Sequence, residues 1–186
     1  MTDDRFAIAE RQVGGVVQRY WAQAPRCLGD VWTASRAHAG RDYLVYEDER
    51  YTYADAHRIV AGLAATLAGR YGLKRGDRFA VAMRNYPDWA FSFWAGVLLG
   101  AVAVPLNAWW SAPELAFALD DSGCSVVLAD GERLERLAPV LAQRPDLAVV
   151  GVRPGALPSG PGEGAAGRVK PEDDAVILYT SGTTGR

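Results

Sequence analysis

The sequence has few of the residues that bind metals or form disulfides. It contains two cysteines, Cys27 and Cys124, and two histidines, His38 and His57. None of them forms a pair at the spacing of a zinc motif, and two cysteines do not make a disulfide framework. Cys124 precedes an apolar run, so we interpret it as a small core residue. We expect no metal site built from these residues, no disulfide, and a reducing cytoplasmic setting.

An excess of charge of one sign is also absent. The chain of 186 residues has 20 Lys and Arg against 22 Asp and Glu, a formal net charge of −2. Nucleic-acid binding calls for a clustered basic surface, so this balance argues against a nucleic-acid partner. Hydrophobic residues make up 49% of the sequence, which supports a buried core and excludes disorder over most of the chain.

One apolar run is long enough to fit a bilayer. Residues 89–113 carry no charged side chain. Two glycines lie inside the run, Pro105 follows them, and no basic cluster flanks either end, which argues against a single spanning helix. We therefore predict a buried helix at 87–99 and a strand at 102–104. The acidic N-terminus has no apolar segment and is unlike a secretory signal.

Beyond residue 52, short apolar segments alternate with helical patterns. Capping boxes at 52–55 and 111–114 indicate two helix starts, and Gly72 and Gly123 are placed as helix ends. Pro139 predicts a kink or two short helices in the last helical pattern. This alternation predicts an α/β fold, a doubly wound, mostly parallel sheet with helices on both faces. The strands are expected at 79–83, 102–104, 125–129 and 147–151.

The first fifty residues give weaker signals. Residues 5–19 suit one helix, although two glycines interrupt it, and a second helix is expected near 31–39. The aromatic segments 43–46 and 51–53 flank the polar residues 47–50. They predict a small β-hairpin near the start of the chain.

A change in composition divides the chain into three parts. Residues 1–152 form the α/β portion, and residues 153–172 are rich in glycine and proline, which predicts a flexible linker. Residues 173–186 contain one more expected strand, at 175–179, and a final loop. Thr180–Gly185 combines hydroxyl side chains with glycines, which suits a phosphate cradle but also an ordinary Ser/Thr/Gly turn. The Walker motif is absent.

Leu178–Gly185 resembles the signature phosphate loop of the AMP-forming acyl-CoA synthetase (adenylate-forming) superfamily. In that family a variable residue, Pro and Lys follow, and Arg186 would be the variable residue. The resemblance covers about Leu28–Arg186 and is most like the bacterial fatty-acid–CoA ligases. Four upstream segments also resemble the family: 51–55, 73–81, 85–89 and 99–107.

The resemblance implies an ATP-dependent carboxylate–CoA ligase that acts on fatty acids. In such enzymes a carboxylate attacks the α-phosphorus of ATP, giving an acyl-adenylate and pyrophosphate, and coenzyme A then displaces AMP. The implied substrates and cofactors are a small carboxylic acid, ATP, Mg²⁺ and coenzyme A. The loop would hold the β- and γ-phosphates with Mg²⁺. By position in the motif, hydroxyls would come from Thr180, Ser181, Thr183 and Thr184, and backbone access from Gly182 and Gly185.

The family's adenine site, acyl pocket and mobile lid with its catalytic lysine would lie beyond Arg186. We therefore assign no catalytic residue within this chain, interpret it as an N-terminal fragment, and expect no ligase activity from it alone. Two alternatives stay open: an aryl-CoA ligase or peptide-synthetase adenylation domain, and a non-enzymatic binding module. A homodimer and peripheral membrane contact also stay open.

Three further features each have a structural and a functional interpretation. Trp109 and Trp110 would either pack against a neighbouring layer or form an apolar surface for acyl substrate or membrane. The charged run 130–136 is expected to be a solvated helix face. His57 is expected to be a surface or boundary residue rather than a catalytic base.

Overall fold

The computed structural model describes residues 4–152, 157 and 169–180. Its first element pair is an antiparallel hairpin of β1 (Ile8–Val13) and β2 (Val16–Trp21). The helix expected at 5–19 is therefore wrong. Gly14 and Gly15 have φ values of 56° and 83°, and this left-handed pair makes the two-residue turn whose twist suits a hairpin.

The next elements are α1 (Leu28–Ala34), a 3₁₀ turn (Ser35–His38), and the hairpin of β3 (Asp42–Tyr46) and β4 (Glu49–Thr52). The expected hairpin is confirmed, although its loop is shorter than expected. The helix expected near 31–39 begins and ends earlier, at 28–34, and the 3₁₀ turn takes up the remainder. Only residues 47 and 48 separate the strands, and Glu47 adopts a φ of 51° in the turn.

The remaining elements alternate helix and strand, as the sequence pattern predicted. The helices are α2 (Tyr53–Tyr71), α3 (Pro87–Leu98), α4 (Ala112–Ser122) and α5 (Gly131–Leu141). The strands are β5 (Arg78–Ala82), β6 (Val102–Pro105), β7 (Val126–Asp130) and β8 (Ala148–Val152). These strands form a four-stranded sheet in the order β6-β5-β7-β8, and every pair in it is parallel.

Helices cover both faces of this sheet, so the doubly wound arrangement is confirmed. Phe79 and Val81 of β5 belong to a buried cluster that includes Leu63 of α2. The alternate residue Ala80 belongs to a second cluster, which includes Leu115 of α4. Alternation along the strand thus sends successive side chains into two separate apolar layers, as expected for a sheet buried on both faces.

The predicted helix boundaries agree with local hydrogen bonds. The Asp55 N–H donates to Thr52 Oγ1 at 3.1 Å, and the Ser111 N–H donates to Glu114 Oε2 at 2.7 Å. Gly72 and Gly123 end α2 and α4 in the left-handed conformation. Pro139 lies inside α5, which continues as one helix rather than two.

The strand expected at 175–179 appears as a single parallel bridge between Val176 and Ala103 of β6. The Ala103 N–H donates to the Ala175 oxygen at 2.9 Å, and the Ile177 N–H donates to the Ala103 oxygen at 2.9 Å. Most of the predicted linker lies outside the described residues. The apolar run 89–113 is divided among α3, β6 and the start of α4, and within the described ranges no helix is long and apolar enough to cross a membrane.

Candidate functional site

The residues predicted to bind phosphate, Thr180–Gly185, are called the predicted phosphate loop below. They begin directly after the segment 175–179, which pairs with β6. Because the bridge is parallel, this segment runs in the direction of β6, toward the carboxyl edge of the sheet where α/β folds bind phosphate groups. Thr180 is exposed. The other residues predicted to bind phosphate lie outside the described part of the chain: Ser181, Gly182, Thr183, Thr184 and Gly185.

Two side-chain contacts hold the segment that leads to Thr180. At its start, Arg75 Nε and Nη2 donate to the two Asp173 carboxylate oxygens at 2.7 and 2.5 Å, and Asp173 also accepts from the Lys170 N–H at 2.8 Å. The Arg75 guanidinium lowers the pKa of the Asp173 carboxyl to about 2. This bidentate pair joins residues 98 positions apart in the chain.

At its end, the Tyr179 hydroxyl donates to Asp121 Oδ2 at 2.6 Å and lies 3.3 Å from the Ala118 oxygen. The Tyr179 ring meets Trp110 and Phe117 edge-on, with centroid distances of 6.1 and 6.3 Å. Burial raises the pKa of Tyr179 to about 12, and the hydrogen bond to Asp121 acts in the same direction. The phenol is therefore a proton donor at neutral pH. Trp110 fits the packing interpretation.

A cluster that the sequence reading missed lies where the chain leaves β5 and β7. Helix α3, after β5, packs on one face of the sheet, and α5, after β7, packs on the other, so a crevice opens between the ends of these strands. The Arg84 N–H donates to Asp130 Oδ2 at 3.1 Å. Asp130 Oδ1 accepts the Arg133 N–H at 3.0 Å and so caps α5.

Arg133 is the centre of this cluster, with 1% of the residue exposed. Its Nη1 pairs with Asp130 Oδ2 at 3.2 Å, and its Nε donates to the Ala108 oxygen at 2.9 Å. Trp109 is 69% exposed, and the guanidinium carbons of Arg84 and Arg133 lie 5.0 and 5.8 Å from its ring centroid. The expected solvated helix face is therefore wrong for Asp130 and Arg133. The sequence signal for this pair is an acidic residue at the N-cap, Asp130, followed three residues later by the basic residue Arg133.

Beside this cluster is a cleft of about 500 Å³ whose lining includes Tyr46, Glu47, Arg84, Tyr86 and Trp109. A guanidinium among aromatic rings can bind an anion or stack on a planar group. The cleft therefore has the chemistry of a surface site for a flat or negatively charged group.

His57 lies elsewhere, inside the contact between α1 and α2, and is 9% exposed. Its ring centroid is 4.3 Å from that of Trp32, and its Nε2 lies 3.0 Å from Ser35 Oγ. Because Ser35 Oγ donates to the Trp32 oxygen at 2.6 Å, Nε2–H must be the donor to Ser35. Burial lowers the pKa of His57, and Arg36 lowers it further. The surface expectation is wrong, whereas Cys124 is buried as expected.

Comparisons with known proteins agree with this fold. The family model described as AMP-binding enzyme matches residues 31–186. Long-chain-fatty-acid–CoA ligase FadD13 of Mycobacterium tuberculosis is 35% identical over 144 residues, 74% of this chain and 28% of the relative. Feruloyl-CoA synthase of Amycolatopsis sp. is 38% identical over 135 residues, 73% of this chain and 26% of the relative.

Among solved structures, the anthranilate CoA ligase AuaEII in complex with anthranoyl-AMP superposes with a TM-score of 0.77. Its sequence identity is 22%, over 88% of this chain and 33% of that chain, so this likeness concerns the fold alone. The chain spans less than a third of the length of the two curated relatives, 28% of one and 26% of the other.

Proposed function

The chain belongs to the AMP-binding enzyme family, and from this premise we propose that it is the N-terminal part of an ATP-dependent carboxylate–CoA ligase. The observation that carries the proposal is the match of the family to residues 31–186, which includes the hydroxyl- and glycine-rich segment Leu178–Gly185. The described geometry supports it, because Thr180 is exposed and follows a segment parallel to β6. Glycine-rich loops after such segments are suited to bind phosphate groups.

In the proposed reaction a carboxylate attacks the α-phosphorus of ATP, the bond to pyrophosphate breaks, and the thiol of coenzyme A then displaces AMP from the acyl-adenylate. The part that we assign to this chain is to hold the leaving pyrophosphate. The hydroxyls of Thr180, Ser181, Thr183 and Thr184 and the backbone N–H groups near Gly182 and Gly185 would orient the β- and γ-phosphates and bind them with Mg²⁺. Adenylation and thioester formation need further residues that we do not assign here.

We propose fatty acids as the substrate class. Two observations support this choice: the 35% identity to FadD13 and the resemblance of the sequence to bacterial fatty-acid–CoA ligases. Aromatic acids are a second candidate, favoured by the 38% identity to feruloyl-CoA synthase. The boundaries 1–152, 153–172 and 173–186, the cytoplasmic location and the homodimer stay predictions. So does the inactivity of the isolated chain.

The test is carboxylate-dependent exchange of pyrophosphate into ATP, measured on the protein isolated from its own cells after its intact mass is known. A panel of matched fatty and aromatic acids separates the two substrate classes. We expect exchange with at least one class. Absence of exchange with every acid, in a protein much heavier than 20.1 kDa, would contradict the proposed function.

The loop itself is tested by Thr183→Ala in the same assay. Losing one donor to a phosphate oxygen is expected to lower the exchange rate by about 10²-fold. Thr66→Ala is the matched control, because Thr66 Oγ1 donates to the Gly62 oxygen inside α2 at 3.0 Å. Equal rates in the two variants would contradict phosphate binding by Thr183.

A further inference from the structure

We propose that Tyr179 is a positioning residue that anchors the base of the predicted phosphate loop to helix α4 through Asp121. This inference rests on the proposed function and adds a residue to it. Tyr179 is not a catalytic residue in this proposal, because its hydroxyl points to the helix and is engaged there.

The anchor has a directional part and an apolar part. The Tyr179 hydroxyl donates to Asp121 Oδ2 at 2.6 Å, a short bond to a charged acceptor. The ring lies between Trp110, which precedes α4, and Phe117 on its surface. The hydrogen bond orients the Tyr179 hydroxyl, and the ring contacts limit how far the ring can move from α4. Together they restrict the Tyr179 side chain more than either would alone.

The same segment is held at two earlier points. Arg75 holds Asp173 by two hydrogen bonds, and the Val176 bridge ties the backbone to Ala103 of β6. The contact at Tyr179 is the last of the three before Thr180, whose Cα follows at about 3.8 Å along the chain. A change in the position of Tyr179 is therefore passed directly to the first hydroxyl of the loop.

The position of that hydroxyl matters because orientation is a large part of catalysis on phosphates. A displacement of about 1 Å of a binding group can lower a rate by about 10²-fold even when the group itself is intact. An anchor at Tyr179, one residue before Thr180, would restrict the movement of the Thr180 hydroxyl before the nucleotide binds. Asp121 then acts through Tyr179 and has no contact with substrate in this proposal.

The experiment compares four variants of the protein as its own cells produce it, the same protein that the exchange assay uses. Tyr179→Phe keeps the ring and removes the donor, and Asp121→Ala removes the acceptor. Asp121→Asn keeps an acceptor oxygen and is the conservative rescue. Asp120→Ala is the matched control, because the adjacent Asp120 pairs with Arg144 and not with Tyr179.

Two measurements are made on each variant. Hydrogen exchange follows the Ile177 and Ala103 amides, whose hydrogen bonds form the bridge beside β6, with the β5 amides as an internal reference. Calorimetry measures the affinity for pyrophosphate with Mg²⁺. We expect Tyr179→Phe and Asp121→Ala to speed exchange at Ile177 and to weaken pyrophosphate binding, each by about tenfold, the value of one hydrogen bond to a charged group. Asp121→Asn keeps a neutral acceptor oxygen and should show a smaller change in the same direction, whereas Asp120→Ala should stay near the wild type.

The outcomes separate this inference from the proposed function. Faster exchange at Ile177 with unchanged pyrophosphate affinity would overturn positioning, because the contact would then be structural only. Wild-type rates and affinity in Tyr179→Phe would overturn the anchor altogether. If the wild-type protein binds no pyrophosphate, the proposed function of the loop is contradicted, and the role of Tyr179 in phosphate binding falls with it.

Discussion

The guanidinium of Arg133 lies among Asp130, the Ala108 oxygen and the ring of Trp109, and 1% of the residue is exposed. Removing a charge from water is costly, so such a side chain persists only where its partners are close and well oriented. Asp130 binds the Arg133 guanidinium through its carboxylate. It also accepts the Arg133 backbone N–H and so caps α5. The pair thus joins the end of β7 to the start of α5.

Asp130→Ala tests this residue-scale interpretation. It removes the cap and leaves the buried Arg133 guanidinium with the half-exposed Glu132 as its carboxylate partner, so we expect the free energy of unfolding to fall by about 3 kcal/mol, the lower end of the range for breaking a buried pair. Glu135→Ala is the control, because Glu135 is an exposed acidic residue of the same helix and its loss should change the free energy of unfolding by less than about 0.5 kcal/mol. Urea denaturation measures both variants. Equal small losses would show that Arg133 is solvated without Asp130.

At the scale of elements, the close approach of α3 to the sheet depends on a residue without a side chain. A Cβ built at Gly96 would lie 2.1 Å from Phe79 Cζ, which no pair of carbon atoms tolerates. Phe79 is fully buried in β5, so its ring has little room to move. Gly96 therefore allows the close approach of α3 to β5.

Gly96→Ala is accordingly expected to destabilise the protein by about 1–3 kcal/mol through overpacking. Gly69→Ala is the matched control, since nothing lies within 4 Å of a Cβ there and the residue is inside α2. That change should stabilise the helix by about 0.5–1 kcal/mol, because alanine loses less entropy than glycine. Thermal and urea unfolding measure both, and a Gly96→Ala variant as stable as the wild type would refute the packing argument.

At the scale of the whole molecule, the Arg75–Asp173 pair joins two segments that lie 98 positions apart in the chain. It returns the chain to the sheet beside β6 after the segment that the sequence predicts to be a linker. Because Arg75 lowers the pKa of Asp173 from 3.8 to about 2, the folded state favours the ionised carboxyl. The resulting stabilisation is complete above the unfolded pKa and is lost as pH falls toward the folded value.

The stability difference between the wild type and Asp173→Asn should therefore be present at pH 6, shrink below about pH 3.8 and be lost as pH falls through about 2. Urea denaturation across this range measures it. Asp174→Asn controls for the loss of one carboxylate in the same segment. A difference that does not change with pH would mean that the charge of Asp173 contributes nothing to the closure.

The sequence by itself determined the elements whose signals are local. Thr52, Ser111, Gly72 and Gly123 mark helix ends because their hydrogen bonds and backbone angles involve neighbours within a few residues. The parallel sheet follows from the alternation of strands and helices, and the family resemblance from the loop motif together with four upstream segments. Gly14 and Gly15 are also a local signal, and their left-handed turn outweighs the helical pattern that predicts one helix over 5–19.

Tertiary structure decided what depends on residues far apart. The strand order β6-β5-β7-β8 brings the ends of β5 and β7 together, and only this arrangement makes Arg133 a buried residue rather than part of a solvated face. Tyr179 meets Asp121 across 58 positions because its segment pairs with β6, the strand that precedes α4. Burial and partner choice are properties of the packed chain, because the dielectric surroundings of a charge are set by whichever segments fold against it.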